Sequence, residues 1–158
     1  MLEQYKKLIY KIANSYCSNN EDRKDLVQEI VLQLWRSYSK YDQKYKLSTW
    51  IYRIALNVSI SFCRRESKRK KKSAQYTDAI IENVAERKGD QELEVNLNLL
   101  NQFIAQLPAL DKAIMLLYLE RKPQEEMADI LGISKTNVAT KISRIKKTLK
   151  KQFEQIKR

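Results

Sequence analysis

At 158 residues the chain is long enough for one ordinary domain or two small ones, and its two Gly and two Pro are too few for the turns of a β-rich fold. A net charge of +12, from 31 Lys and Arg against 19 Asp and Glu, favours a polyanionic partner, either nucleic acid or an anionic membrane face. The absence of His and the wide spacing of Cys17 and Cys63 exclude the usual zinc motifs, a disulfide framework and the commonest general base.

The first half of the chain shows the apolar periodicity of helices, so we predict an all-α fold. Apolar residues recur at helical spacing over residues 2–17. Asn20 is the expected N-cap of a second helix that runs to about Tyr38. A third helix, capped by Ser48 or Thr49, is expected to reach about Lys72. Neither an apolar signal core nor a membrane-length apolar run occurs, which predicts a cytoplasmic protein without stable membrane insertion.

The second predicted helix, "DLVQEIVLQLWR", has an unusual polar face. Its apolar face is broad enough for a core, but Leu32 falls in the middle of the opposite face and Trp35 at its edge. Asp25, Gln28 and Glu29 frame these two side chains. The pattern fits a protein-binding patch as well as it fits scattered surface apolar residues. The acids argue against DNA on this face, because phosphates would be repelled.

The third predicted helix lies between aromatic and basic residues. Tyr41, Tyr45, Lys46 and Trp50 stand near its start, and "RRESKRKKK" at its end has seven basic residues in nine. Rings interleaved with cations suit single-stranded nucleic acid, whose bases stack on aromatic side chains. Core packing explains Trp50 equally well. A solvated helix end or a localisation signal also explains the basic run.

Residues 73–90 have weak periodicity, mixed charge and one of the two glycines, and we predict a flexible linker there. Helical periodicity returns over residues 91–158 and predicts four further helices. Leu107-Pro108 ends the first of them, Pro123 takes the first position of the third, and Ser134 caps the fourth. The chain therefore divides into a three-helix domain, 1–72, a linker, 73–90, and a four-helix domain, 91–158.

The last two predicted helices have the spacing of a helix-turn-helix. Ala128, Gly132 and Val138 stand at offsets of four and ten, which suits a small contact residue, a glycine with positive φ and an apolar lock. One face of the final helix is apolar and the other is polar and basic, so its side chains can reach base edges while Lys and Arg hold phosphates. An ordinary helical hairpin with a solvated basic face is the alternative interpretation.

Three segments together resemble bacterial RNA polymerase sigma factors of the extracytoplasmic-function (ECF) class. The segment "DLVQEIVLQLW" is similar to the family's D-L-x-Q-E-x-F-x-x-L-W stretch, and "STWIYRIALNVSISFCRR" is similar to its [ST]-T-W-L-Y-R-I-A-x-N stretch. Residues from Leu107 to Lys151 resemble the family's whole C-terminal domain. The resemblance covers nearly the entire chain outside the linker, and it implies a two-domain protein that binds core RNA polymerase and promoter DNA.

The resemblance implies three sets of binding residues. It assigns core-polymerase binding to Asp25, Gln28, Glu29, Leu32 and Trp35. It assigns minus-ten promoter binding to Lys46, Ser48, Thr49, Trp50, Arg53, Asn57, Ser61, Arg64 and Arg65. It assigns minus-thirty-five binding to Lys135, Thr136, Asn137, Thr140, Lys141 and Arg144. Ser61 stands where relatives often carry Asp or Asn, and Pro123-Gln124 replaces a small polar residue and tyrosine.

The resemblance also implies a mechanism without catalysis or cofactor. The chain is expected to be monomeric when free and to be held by an anti-sigma partner if one exists. A rival interpretation is a helix-turn-helix regulator that binds palindromic duplex DNA as a dimer, without polymerase. A second rival, an enzyme acting on nucleic acid, lacks a histidine, a pocket signature of carboxylates and a phosphate-binding glycine loop.

Overall fold

Helices account for all the regular structure in the part of the chain that the computed structural model describes, residues 2–72 and 91–157. The first three helices are α1 (Leu2–Tyr16), α2 (Asn20–Ser37) and α3 (Leu47–Lys72), with a 3₁₀ turn at Tyr38–Lys40 between α2 and α3. The last four are α4 (Gln91–Ala105), α5 (Ala109–Leu119), α6 (Gln124–Leu131) and α7 (Lys135–Ile156). The predicted all-α class, with three helices followed by four, is confirmed. The predicted linker, residues 73–90, lies outside the described residues.

Apolar stripes on α1, α2 and α3 form the N-terminal core. Ile12, Leu26, Ile30, Ile51 and Leu56 are almost completely buried in it. Burial of such side chains contributes roughly 1.5–3 kcal/mol each to folding, before the conformational entropy lost on folding is counted. This packing fixes which faces of α2 and α3 remain on the surface.

Two predicted helix caps in this half are wrong. The N-cap of α2 is Asn19, whose side chain accepts a hydrogen bond from the Asp22 amide at 2.7 Å, and Asn20 is already helical. Adjacent asparagines cap equally well, so sequence alone could not choose between them. Helix α3 begins at Leu47, and its first turn closes where the Trp50 amide donates to the Lys46 carbonyl at 3.1 Å. Ser48 and Thr49 therefore lie inside the first turn and cap nothing.

The predicted helix-turn-helix is confirmed in α6 and α7. Gly132 ends α6 with φ of 67°, and its amide donates to the Ala128 carbonyl at 2.9 Å. Ser134 caps α7 by accepting a hydrogen bond from the Asn137 amide at 3.1 Å. Val138 is fully buried between the two helices. Pro123 is the N-cap of α6 rather than its first helical residue, a displacement of one position.

The C-terminal helices also pack on the N-terminal ones, which the sequence did not predict. Helices α5 and α6 both lie against α3. The Tyr16 hydroxyl at the end of α1 donates to the Ala109 carbonyl at 2.8 Å, and the Lys112 ammonium lies 5.0 Å from the centre of the Tyr16 ring. The described helices therefore share one continuous packing arrangement around α3.

Candidate protein and nucleic-acid interfaces

The polar face of α2 is a continuous exposed stripe. Asp25, Gln28, Leu32 and Trp35 lie on it, at spacings of three and four residues, and all four are exposed. Trp35 is 77% exposed and Leu32 is 46% exposed, although large apolar side chains are usually at least half-buried. An exposed indole and an exposed isobutyl group beside a carboxylate and an amide make a surface suited to a protein partner.

Glu29, the fifth residue predicted for this stripe, has a partner within the chain. The Arg65 guanidinium on α3 donates to its two carboxylate oxygens, at 2.7 and 2.9 Å. Both side chains are partly exposed, and the single nitrogen Nη2 of Arg65 donates to both oxygens. The pair joins α2 to the end of α3, and so it links a predicted polymerase contact to a predicted DNA contact. The two residues are 36 apart in sequence, and nothing in either segment alone indicates the contact.

The predicted minus-ten residues of α3 form a second stripe. Thr49, Arg53, Asn57 and Ser61 follow one another at intervals of four residues, so they share one side of the helix, and Arg64 continues that side. Thr49 is half-buried, and the other four are exposed. Before the helix, Lys46 is exposed and Ser48 is half-buried. The stripe offers hydroxyl, amide and guanidinium groups along its length, all of them able to hydrogen-bond nucleic acid.

Trp50 packs in an aromatic cluster. Its ring lies 5.2 Å from that of Tyr41 and 6.2 Å from that of Tyr38, and the indole is half-buried. Trp50 also lines a largely apolar cavity of about 760 Å³ together with Trp35 and Tyr38. Tyr38 was not among the predicted site residues. Its position directly after α2, at the start of the connection to α3, was the only sequence signal for it.

The outer face of α7 carries the predicted minus-thirty-five residues. Thr136, Asn137, Thr140 and Arg144 are exposed on it. The Lys135 ammonium lies 3.2 Å from the Glu125 carboxylate. Lys141 is half-buried and lies 3.4 Å from Asp111 on α5, so its charge faces the protein more than the solvent. The exposed set therefore leaves Arg144 as the long cation best placed for a DNA phosphate or base edge.

The cysteines and the acidic side chains are the remaining candidates for chemistry. Both cysteines are free thiols, and burial raises the pKa of the Cys17 thiol to about 11, which keeps it protonated. Among residues 2–72 and 91–157, His, Cys, Asp and Glu side chains do not come together in a group that could hold a metal ion. Within the same ranges, each helix is too short or too polar to cross a membrane.

Comparison with known families identifies both halves of the chain. Residues 1–69 match the family model of Sigma-70 region 2, and residues 97–149 match that of Sigma-70, region 4. The first match covers α2 and most of α3, and the second covers α6 and most of α7. The chain therefore belongs to the sigma-70 family of RNA polymerase sigma factors.

Individual relatives place it in one class of that family. The chain is 29% identical to the ECF RNA polymerase sigma factor SigW of Bacillus subtilis (strain 168), over 99% of this chain and 88% of that protein. It is 28% identical to the RNA polymerase sigma factor SigV of the same organism, over 96% of this chain and 88% of that protein. It is an ECF-class sigma factor, and it directs promoter recognition with RNA polymerase.

Solved structures share its fold. The sigma factor RpoE, in complex with the anti-sigma factor NepR from Bartonella quintana, superposes with a TM-score of 0.69 at 19% identity, over 94% of this chain and 91% of that one. CnrH, in complex with the cytosolic domain of CnrY, superposes with a TM-score of 0.65 at 18% identity, over 97% of this chain and 84% of that one. At these identities the likeness concerns the arrangement of helices.

Proposed function

We propose that the three exposed surfaces divide the work of transcription initiation among them. The α2 stripe binds core RNA polymerase, the α3 stripe with its preceding loop binds the minus-ten element, and the outer face of α7 binds the minus-thirty-five element. The observation that carries the proposal is the difference in chemistry between α2 and the other two helices. Asp25, Leu32 and Trp35 suit a protein surface, whereas α3 and α7 present exposed arginines with hydroxyls and amides.

In this mechanism the chain captures the melted non-template strand of the promoter. Unpaired bases leave the stack at a cost of a few kcal/mol each, and contacts to the loop and to α3 offset that cost. Arg53 and Arg64 are exposed where they can hold the backbone, and Trp50 with its aromatic neighbours can stack on a base once part of its packing is released. The sigma-70 family is a regulatory family, and all chemistry in this scheme belongs to the polymerase.

We also propose that an anti-sigma protein binds the free chain. Two solved structures that share its fold, those of RpoE and CnrH, were determined with an anti-sigma factor and with a cytosolic partner domain, respectively. A purified partner of this kind should block promoter-specific initiation when added at equal concentration. An excess of the chain should restore initiation. A partner that binds the chain without blocking initiation would contradict this part of the proposal.

The test of the main proposal is transcription from a genomic promoter library by purified core RNA polymerase, with and without the chain. We expect promoter-specific transcripts only when the chain is added, and their start sites should reveal both promoter elements. Duplex binding without polymerase, at palindromic sites and as a dimer, would instead favour the helix-turn-helix regulator. Gel filtration of the free chain separates the two outcomes independently, because the sigma mechanism requires no dimer.

A further inference from the structure

Residues 41–46, between the 3₁₀ turn and α3, form a loop that is held by hydrogen bonds within it. The Tyr45 amide donates to the Asp42 carbonyl at 3.2 Å, which closes a β-turn. The Lys44 amide donates to the Asp42 carboxylate at 3.0 Å, the side-chain contact with which Asp commonly begins a turn. The Tyr41 hydroxyl donates to the Tyr45 carbonyl at 2.6 Å and closes the loop from its other side. The peptide groups on both sides of Tyr45 therefore have partners within the loop.

Tyr41 also fastens this loop to its surroundings. Its amide donates to the Tyr38 carbonyl at 3.1 Å, at the end of the 3₁₀ turn. Its ring lies 5.2 Å from that of Trp50 and is tilted by 47° against it, within the range in which aromatic rings attract each other. Trp50 belongs to the first turn of α3, so the ring of Tyr41 sets where the loop lies and its hydroxyl sets how the loop folds.

The side chains that the loop leaves exposed stand beside the α3 stripe. Tyr45 is 46% exposed and borders a small cleft with Thr49 and Arg53 of the stripe. Lys46 is exposed, and α3 begins directly after it. A ring that can stack on a base and an ammonium that can hold a phosphate therefore stand at the N-terminal end of the stripe. The carbonyl that accepts the Tyr41 hydrogen bond belongs to the peptide between Tyr45 and Lys46, so this bond sets the orientation of one residue relative to the other.

A polar loop of this length without such contacts would have to be ordered by the DNA itself. Fixing its backbone costs free energy for each residue, and that cost lowers the affinity when it is met on binding. A loop that already has its binding shape avoids the cost. Tyr41 and Asp42 each supply one of the contacts through a side chain, so each contact can be removed singly.

We propose that Tyr41 and Asp42 are positioning residues of the minus-ten site, which hold the loop in the shape that presents Tyr45 and Lys46 to the melted strand. The proposal rests on the proposed function of α3 and its preceding loop. Tyr41, Asp42 and Tyr45 are not among the minus-ten residues that the family resemblance implied. Tyr41 and Asp42 act on the strand through the loop, and Tyr45 offers its ring to a base.

The test removes each side-chain contact and compares the result with a variant that keeps it. Tyr41→Phe deletes the hydroxyl and keeps the ring against Trp50, and Tyr10→Phe is its matched control, because Tyr10 is exposed on α1. Asp42→Ala deletes the acceptor of the Lys44 amide, whereas Asp42→Asn keeps an oxygen that can accept the same bond. Both Asp42 variants lose the same charge, so the difference between them reports the hydrogen bond.

The measurement is made on the complex with core polymerase. The probe is a fluorescein-labelled single strand that carries the non-template minus-ten sequence recovered from the promoter library, with a scrambled strand of the same composition for comparison. We expect Tyr41→Phe and Asp42→Ala each to bind the minus-ten strand about fivefold more weakly than its control, as for the loss of one hydrogen bond. Tyr10→Phe and Asp42→Asn should bind it at least as tightly as the unaltered chain. The scrambled strand should not separate either variant from its control.

This comparison distinguishes a positioning role from a merely stabilising one, because a loss of folded protein would weaken the binding of both strands and of polymerase alike. Circular dichroism melting and competition for core polymerase measure those two properties. Equal affinities of Tyr41→Phe and Tyr10→Phe for the minus-ten strand would overturn the proposal. A loss for Asp42→Asn as large as that for Asp42→Ala, or a loss that extends equally to the scrambled strand, would also overturn it. Failure of the library to yield a promoter would instead count against the proposed function itself.

Discussion

Gly132 shows how one residue makes the helix-turn-helix possible. Its φ of 67° lies in the left-handed region, and a Cβ at this position would meet no atom within 4 Å. Gly132→Ala should therefore be destabilising by about 1 kcal/mol, through backbone strain alone. Chemical unfolding monitored by circular dichroism measures the change in the free energy of unfolding.

Arg121 offers a matched control, because it also has positive φ, 58°, without being a glycine. Arg121→Gly relieves the strain at that position and adds chain entropy to the unfolded state, so a gain of about 0.5 kcal/mol is expected. A Gly132→Ala protein as stable as the starting protein would show that the turn accommodates a side chain. The explanation of the glycine from its φ would then fail.

Residue partners across the fold were the least predictable part of the site. The Glu29–Arg65 pair, the Lys141–Asp111 pair and the packing of Trp50 on Tyr41 all depend on which helix faces meet. Periodicity indicates which side of a helix is apolar and does not indicate its neighbour. The predicted lists were therefore correct about surface exposure for most residues, and they could not show which of those residues already have partners.

At the scale of the element, helix existence was predictable and helix ends were less so. Apolar spacing sufficed for all seven helices within the described ranges, whereas the starts of α2 and α6 were displaced by one residue and α3 begins before both of its predicted caps. Helix α4 shows a limit of the same method. Leu93 and Leu97 follow its helical period but are 59% and 51% exposed, while Ile104 further along is buried. The period predicted the helix correctly, but the core covers only its C-terminal part.

The α2 stripe gives a prediction at this scale. Gln28→Ala and Trp35→Ala should each weaken binding to core polymerase, and Trp35→Ala should do so by roughly 2 kcal/mol or about thirtyfold, the size typical of an exposed tryptophan at the centre of an interface. Neither change should alter folding, since both side chains are exposed. Competition for core polymerase against a labelled copy of the unaltered chain measures the affinity.

Gln33→Ala is the control for this pair. Gln33 is exposed on the same helix but outside the stripe, and its amide donates to the Ser37 hydroxyl at 3.2 Å. Its loss should leave polymerase affinity unchanged. If Gln33→Ala weakens binding as much as Gln28→Ala, the interface is not confined to the stripe, and the assignment of α2 must be redrawn.

Helix α7 gives a second prediction. Arg144→Ala should weaken initiation at promoters with an intact minus-thirty-five element by about 1–3 kcal/mol in apparent binding, the usual value of one arginine contact to a base. Lys150→Ala, which removes an exposed cation from the same helix beyond the predicted site, should have a much smaller effect. On a promoter whose minus-thirty-five element is scrambled, the two variants should initiate equally. A defect of Arg144→Ala that persists there would place its role outside recognition of this element.

For the whole molecule, the contact between its two halves covers part of α3. The +12 net charge attracts nucleic acid, but the charge does not determine which part of α3 is covered. That depends on α5 and α6, which bring Glu120, Glu126 and Asp129 to the basic N-terminal half. The sequence contained these acids without any sign of their position, because contacts between segments far apart along the chain leave no local periodicity.

Lys112 allows a test of this contact through stability. This residue of α5 is only 5% exposed, and its ammonium lies 5.0 Å from the centre of the Tyr16 ring. Burial lowers the pKa of the ammonium below the ordinary 10.5. Within residues 2–72 and 91–157 no carboxylate pairs with this ammonium, and an unpaired buried charge opposes folding. Lys112→Met should therefore raise the free energy of unfolding at pH 7 by about 1 kcal/mol, or the melting temperature by about 2–4 °C.

The pH dependence of this gain has a definite sign. Below the folded-state pKa of Lys112, both states carry the charge, and the full burial cost is present. As the pH rises from there toward 10.5, the folded state loses its proton before the unfolded state does, and the cost disappears. The advantage of Lys112→Met should therefore shrink between pH 7 and pH 10.

Lys146→Met is the control, because Lys146 is exposed and lies 4.6 Å from the centre of the Tyr118 ring. It should change stability little at either pH. A Lys112→Met protein less stable at pH 7 would mean that the contact of the ammonium with Tyr16 outweighs its burial, and that this lysine holds the two halves together.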